Sequence, residues 1–281
     1  RMSHWWAHFG EFLFLRRALV GSSILAVSMA PLGTLLILRR MSLVGDAMAH
    51  AVLPGAVAGF LLAGLSVWAM ALGGFLAAIT VALLATLISR HTREYEDSSF
   101  AALYLIALAI GVIGVAASGG RVDLTHLLFG SVLAVDDAGL VLAALVATCT
   151  WLGLALIYRP LVVSTLQASF FDGTRTAALV QVAFTSLVVM NLVAGFQVLG
   201  TLMAVGLLIL PAAAARQWAT RLESLLALSA LIGLAAAVAG LVLSFQVDLP
   251  SGPSIVLCAG LVYLLSVVAS ALRAWNGRHN A

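Results

Sequence analysis

There is no lysine in this chain. All 14 basic residues are arginines, set against 11 acidic ones in 281 residues. A phosphate-binding P-loop places a lysine on the β- and γ-phosphates, so the chain supplies no standard nucleotide site. Charge of either sign is scarce: 9% of residues, where a soluble domain carries about 25%. That leaves too little polar surface for a separate soluble domain. Cysteine is nearly absent, and Cys149 and Cys258 both fall in apolar stretches, so neither a disulfide framework nor a thiolate metal site is indicated. The arginines are scattered between apolar segments with no basic stripe, which argues against nucleic acid as a partner. Residues 1–15 have neither a long apolar core nor a small-residue cleavage site, so no cleavable leader is expected.

What the chain has is apolar length. It is 63% hydrophobic, with a mean hydropathy of +1.14. A helical span needs about 20 apolar residues, and nine segments qualify: 18–38, 43–64, 66–88, 99–118, 138–157, 176–195, 197–215, 223–245 and 254–273. The expected fold is all-α, a polytopic transmembrane bundle of about 8–9 spans forming one domain over 1–281. The aromatic stretch 4–15 is too short to cross and suits an interfacial helix within an N-terminal segment 1–17. The run 124–134 is also too short, and reads as re-entrant or interfacial.

The arginines set an expected orientation. With Arg39 and Arg40 facing the cytoplasm, ten arginines lie inside and four (Arg1, Arg16, Arg17 and Arg121) lie outside. The positive-inside rule selects this arrangement over its reverse. The N-terminus is then outside and the C-terminus cytoplasmic.

One apolar segment carries two ionisable side chains, Asp46 and His50. Such groups at membrane depth are costly and mark a functional site by default. Their i, i+4 spacing puts both on one helix face, and a carboxylate with an imidazole is half a site for a first-row divalent metal. The plainer alternative is a structural Asp–His hydrogen bond. Ala51, Gly55 and Gly59 form a small-residue ridge on roughly the opposite face, suited to close helix packing. Gly45 and Pro54 flank the pair, and Pro54 is expected to break the helix just beyond it.

Weaker candidates follow along the chain. Asp123 and His126, at i, i+3 in the loop 119–137, are candidate entrance contacts for metal, although loops carry such residues routinely and the solvated reading is favoured. In the internal segment 158–175, Pro160 suits the first turn of a short helix and Gly173 its end. That helix would display Phe170 and Phe171, followed by Asp172, as interface anchors or as a plug for a partner's groove. The segment 197–215 is interrupted by Gly200, Gly206 and Pro211, a pattern that points to a transport pathway and equally to tight packing. Asn191 and Gln197 precede it, as pore lining or, more economically, as bundle hydrogen bonds.

The stretches Leu38-Arg-Arg-Met-Ser-Leu-Val-Gly-Asp-Ala-Met-Ala-His-Ala-Val-Leu-Pro-Gly55, Asp123-Leu-Thr-His-Leu-Leu-Phe-Gly130, Val198–Ala212 and Asp248–Val256 resemble the zinc/manganese class of ABC-transporter permeases. The first is the most specific, and the resemblance covers nearly the whole chain. It implies a type II ABC-importer-like homodimer in the bacterial cytoplasmic membrane. The implied partners are two ATP-binding cassette subunits and a periplasmic or lipoprotein metal-binding protein. It implies that Asp46 and His50 meet the metal and that the segment with Phe171-Asp172 is the coupling helix on the ATPase. The chain departs from the family in passing from Asp172 through Gly173 almost directly into apolar sequence. Two ligands are few for a divalent ion. If this helix faces a two-fold axis, however, two Asp and two His converge, as an isologous interface allows.

The function expected is that of a membrane permease in an ATP-driven importer of divalent transition metal. The flanking sequence around Met41, Ser42 and Met48 looks more like that of zinc-importer permeases, a resemblance that leans the choice slightly to zinc over manganese or ferrous iron, as cargo rather than as a resident cofactor. The alternative is a stand-alone secondary transporter or channel. An intramembrane metallohydrolase is disfavoured, because Glu11, Glu94, Glu96 and Glu223 all lie near segment ends or in loops and none is placed to act as a base. With no lysine, the purified chain should neither bind nor hydrolyse ATP; hydrolysis by this chain free of contaminating ATPase would contradict the expectation.

Overall fold

The computed structural model describes residues 13–91, 96–117, 135–166 and 175–279. The described residues form nine α-helices: α1 (Leu13–Leu38), α2 (Ser42–Ala63), α3 (Val67–His91), α4 (Glu96–Ala117), α5 (Asp137–Leu166), α6 (Arg175–Val198), α7 (Thr201–Ala215), α8 (Leu222–Val247) and α9 (Ser251–His279). Eight of them are long and apolar enough to span a membrane. Most of the N-terminal interfacial segment, the run 124–134, and Asp123, His126, Phe170, Phe171 and Asp172 lie outside the described residues.

The ninth expected span is shorter than predicted. Residues 197–215 do not form one helix. α6 runs on to Val198, and α7 begins only at Thr201. Between them Gly200 takes φ 88° and ψ 160°, a region that only glycine occupies freely. Fifteen residues at 1.5 Å each make α7 about 22 Å long, short of a hydrocarbon core of about 30 Å. α7 nevertheless turns back along the bundle and packs against α1, α8 and α9. It is held there by close approach to α1: a Cβ on Gly33 would overlap the Leu208 carbonyl.

Two expected proline boundaries also fail. α2 continues through Pro54 to Ala63, and α5 continues through Pro160 to Leu166. Pro160 is therefore inside a 30-residue helix and does not start a separate short one. Proline removes one hydrogen bond and crowds the preceding turn, but in lipid the helix has no solvated alternative to adopt.

α2 is the centre of one half of the bundle. It packs on α3 antiparallel and on α4 in parallel. A Cβ on Gly55 would overlap the Gly73 carbonyl, and one on Gly59 the Ala69 carbonyl, so the expected small-residue ridge is where the α2 and α3 backbones meet. Lipid gives helices no hydrophobic drive to associate, and close van der Waals packing takes its place. Polar ties add to it. Asn191, fully buried in α6, accepts from Ser28 Oγ of α1 at 2.8 Å and donates to Thr150 Oγ1 of α5 at 2.6 Å. Gln197 donates to the Val67 carbonyl at 3.0 Å. Both act in bundle hydrogen bonding.

The helix ends fall on two sides. At one, Arg39 reaches Ser164, Thr165 and Gln181, and Arg273 donates to the Gln217 carbonyl with its guanidinium 4.2 Å over the Trp218 ring. Leu35, Val162, Thr165 and Leu222 line one small cleft there. At the other, Arg17 pairs with Asp137 at 2.6 Å, and Asp136 caps α5 by accepting from the Gly139 N–H at 2.7 Å. Replacing Gly200 by alanine should lower stability by about 1–3 kcal/mol, the usual cost of a glycine-only conformation. Thermal unfolding in detergent would show this, and an unchanged midpoint would mean that the turn is relaxed.

Candidate metal-transit site

The sequence of α2 favours burial on several sides, since its residues are mostly apolar and its glycines let neighbours close in. Between Leu43 and Gly59 only one stripe stays open: Leu43, Asp46, His50, Pro54 and Ala58; the last turn, from Phe60 on, opens on all sides. The intervals of three and four residues are those of a single helix face. Both ionisable residues sit on that stripe. The Asp46 side chain is 48% exposed and that of His50 is 29% exposed.

The two side chains face each other, with His50 Nε2 3.8 Å from Asp46 Oδ1. That is longer than a hydrogen bond, which needs about 2.7–3.2 Å, and within the reach of an ion pair. It is within chelating reach. Two donors each about 2.1 Å from an ion can lie up to about 4.2 Å apart.

The imidazole is held from behind. Tyr104 of α4 stacks on it, with ring centroids 5.9 Å apart and planes at 28°. His50 Nδ1 is buried without a hydrogen-bond partner, leaving Nε2, on the Asp46 side, as the accessible donor. Pro54, one turn on, has no N–H for the His50 carbonyl. Gly45 lies on the buried side, where a Cβ would meet Leu208 Cδ2 of α7 at 3.1 Å.

Of the other residues singled out from sequence, Gly55 is the packing contact with α3, Gly200 is the turn into α7, and Pro211 is buried inside α7. None of these three lies on the open stripe. Among the described residues no group of three or more His, Cys, Asp or Glu side chains comes together, so the donor set within the described part of one chain is Asp46 and His50. One neighbour of the pair is not legible in the sequence. Tyr104 had no signal, because nothing in a linear pattern pairs it with His50.

The profile of the ABC 3 transport family matches residues 11–270. The chain belongs to that family. Its members are membrane permeases, not enzymes. The manganese transport system membrane protein MntC of Halalkalibacterium halodurans is 32% identical over 275 residues, covering 95% of this chain and 93% of that one. The manganese import system permease protein ScaB of Streptococcus gordonii is 32% identical over 266 residues, covering 91% of each. Among solved structures, PsaBC from Streptococcus pneumoniae in complex with a Fab superposes with a TM-score of 0.83 at 29% identity, covering 95% of both chains. The all-helical, multi-pass architecture of an ABC 3 permease is thereby established for this chain. The slight lean to zinc finds no support among these relatives.

Proposed function

We propose that two copies of this ABC 3 permease form the membrane pathway of an ATP-driven importer of a divalent first-row metal, with manganese as its cargo. The observation that carries the proposal is the open stripe of α2. It places a carboxylate and an imidazole 3.8 Å apart on the face of α2 that the described residues leave open between Leu43 and Ala58.

A second copy supplies the donors that the described part of one chain lacks. Two Asp46 and two His50 meeting across a two-fold axis give four oxygen and nitrogen donors, with two carboxylates to offset the ion's charge. Carboxylate and imidazole donors without thiolates suit manganese as well as zinc, and the named relatives move the preference to manganese. A site without thiolates also holds its ion loosely enough to release it. Small relative movements of the two α2 helices spoil the geometry, because each copy contributes only half of the donors.

The energy comes from two ATP-binding cassette subunits gripping the 158–175 segment of each copy, through Phe170, Phe171 and Asp172. A metal-binding protein delivers the ion at the opposite face, where Asp123 and His126 stand as entrance contacts. The arginine-rich end, with Arg39, Arg216 and Arg273, is then cytoplasmic, as the charge rule requires, and the membrane is the bacterial cytoplasmic membrane.

Asp46→Ala and His50→Ala should each reduce uptake of radioactive Mn2+ to background, while the chain still assembles and the ATPase still co-purifies. Normal uptake by either variant would refute the site. Competition with Zn2+ and Fe2+ reads the cargo: manganese should be the preferred ion, and displacement of its uptake by equimolar zinc would restore zinc.

A further inference from the structure

We infer that Arg39 is a positioning residue that ties the helix ends flanking residues 167–174 to the helix carrying Asp46 and His50. The inference rests on the reading of 158–175 as the ATPase-docking segment.

Only three residues, Arg39, Arg40 and Met41, connect α1 to α2. The turn is tightly specified. The Met41 N–H donates to the Leu36 carbonyl at 2.9 Å and the Arg40 N–H to the Ile37 carbonyl at 3.1 Å, the pair of bonds that closes a Schellman helix end. The left-handed position in that motif usually belongs to glycine. Here it is Arg40, at φ 60°, so the turn holds a strained conformation that its surroundings must maintain.

Arg39 is what reaches those surroundings. Its Nη2 donates to Ser164 Oγ at 2.8 Å, and its Nε lies 3.3 Å from Thr165 Oγ1. Both acceptors are in the last turn of α5, just before residues 167–174. Nη1 donates to Gln181 Oε1 at 2.6 Å in the second turn of α6, the helix that follows those residues. The guanidinium lies 5.1 Å over the ring of Phe184, one turn further along α6. Gln181 closes the circuit, because its Nε2 is 3.9 Å from Met41 Sδ. A single planar cation thus joins the end of α5, the start of α6 and the turn that begins α2, with Asp46 little more than one helical turn beyond Met41.

Displacement of the α5 and α6 ends accordingly has a polar route to α2, a helix that otherwise packs chiefly on α3 and α4. An arginine kept only for orientation needs neither the fork nor the ring beneath it. Lysine separates the two roles, since it keeps the charge but loses the planar, multidentate geometry.

The test uses the complex of the chain with its co-purifying ATPase in proteoliposomes, measuring Mn2+ transported per ATP hydrolysed. Arg39→Lys should leave assembly and hydrolysis in place and cut that ratio roughly tenfold, an ordinary coupling effect. Gln181→Leu leaves the cation intact and should lower the ratio in the same direction. A wild-type ratio in Arg39→Lys overturns the inference.

A second measurement does not depend on the ATPase. Spin labels at Leu43 and Arg175 in the chain alone should give a narrow distance distribution that broadens in Arg39→Lys; an unchanged width also overturns the inference. The docking reading is read separately, from Phe170→Asp with Phe171→Asp. If the ATPase stays bound to that variant while Arg39→Lys still uncouples, the docking assignment falls and the Arg39 link stands.

Discussion

The contact between Gly55 and Gly73 sets the geometry on which the candidate site depends. With no Cβ on either residue, the α2 and α3 backbones close to a distance that no other residue pair would permit. The Gly59–Ala69 approach extends that seam along both helices. With α4 on another side and α7 against Gly45, α2 has one face left between Leu43 and Gly59. In water such a face would be unremarkable, but in a membrane it must meet lipid or another protein. A carboxylate on a lipid-facing stripe is costly, and this stripe carries one together with an imidazole. The packing of apolar, side-chain-free surfaces thus determines where the two polar groups point.

The same economy governs the rest of the bundle. Where backbones cannot interlock, polar side chains join helices in pairs and triples: Asn191 among α1, α5 and α6, Gln197 between α6 and α3, and Arg39 among the α1–α2 turn, α5 and α6. Each tie satisfies a group that lipid would leave unpaired. They differ in position. The Asn191 node is deep and fully buried, which suits a fixed joint. The Arg39 node lies at a helix end beside a strained turn, which suits a joint that moves.

Eight spans were legible in the sequence because apolar length is the one thing a membrane demands. The ninth was legible as an apolar, glycine-interrupted segment, but its start was not. Hydropathy sees residues 197–215 as one apolar run and cannot see a glycine at φ 88° splitting it. Pro54 and Pro160 misled for a related reason, since their rule as helix boundaries is strongest in water, where a broken helix can hydrogen-bond solvent. Asp46 and His50 were legible as a pair because i, i+4 spacing is a property of sequence. That their face is the open one was not, because helices apolar on every side carry no periodic mark of orientation. Tyr104 was invisible, since its place behind His50 arises only when α4 lies parallel to α2.

The central claim is that two copies complete one metal site. The direct measurement is Mn2+ bound per chain in the purified permease at saturation, with Asp46→Ala as the blank. The account predicts one ion for every two chains and none in the variant. One ion for every chain, or binding that survives Asp46→Ala, would contradict it.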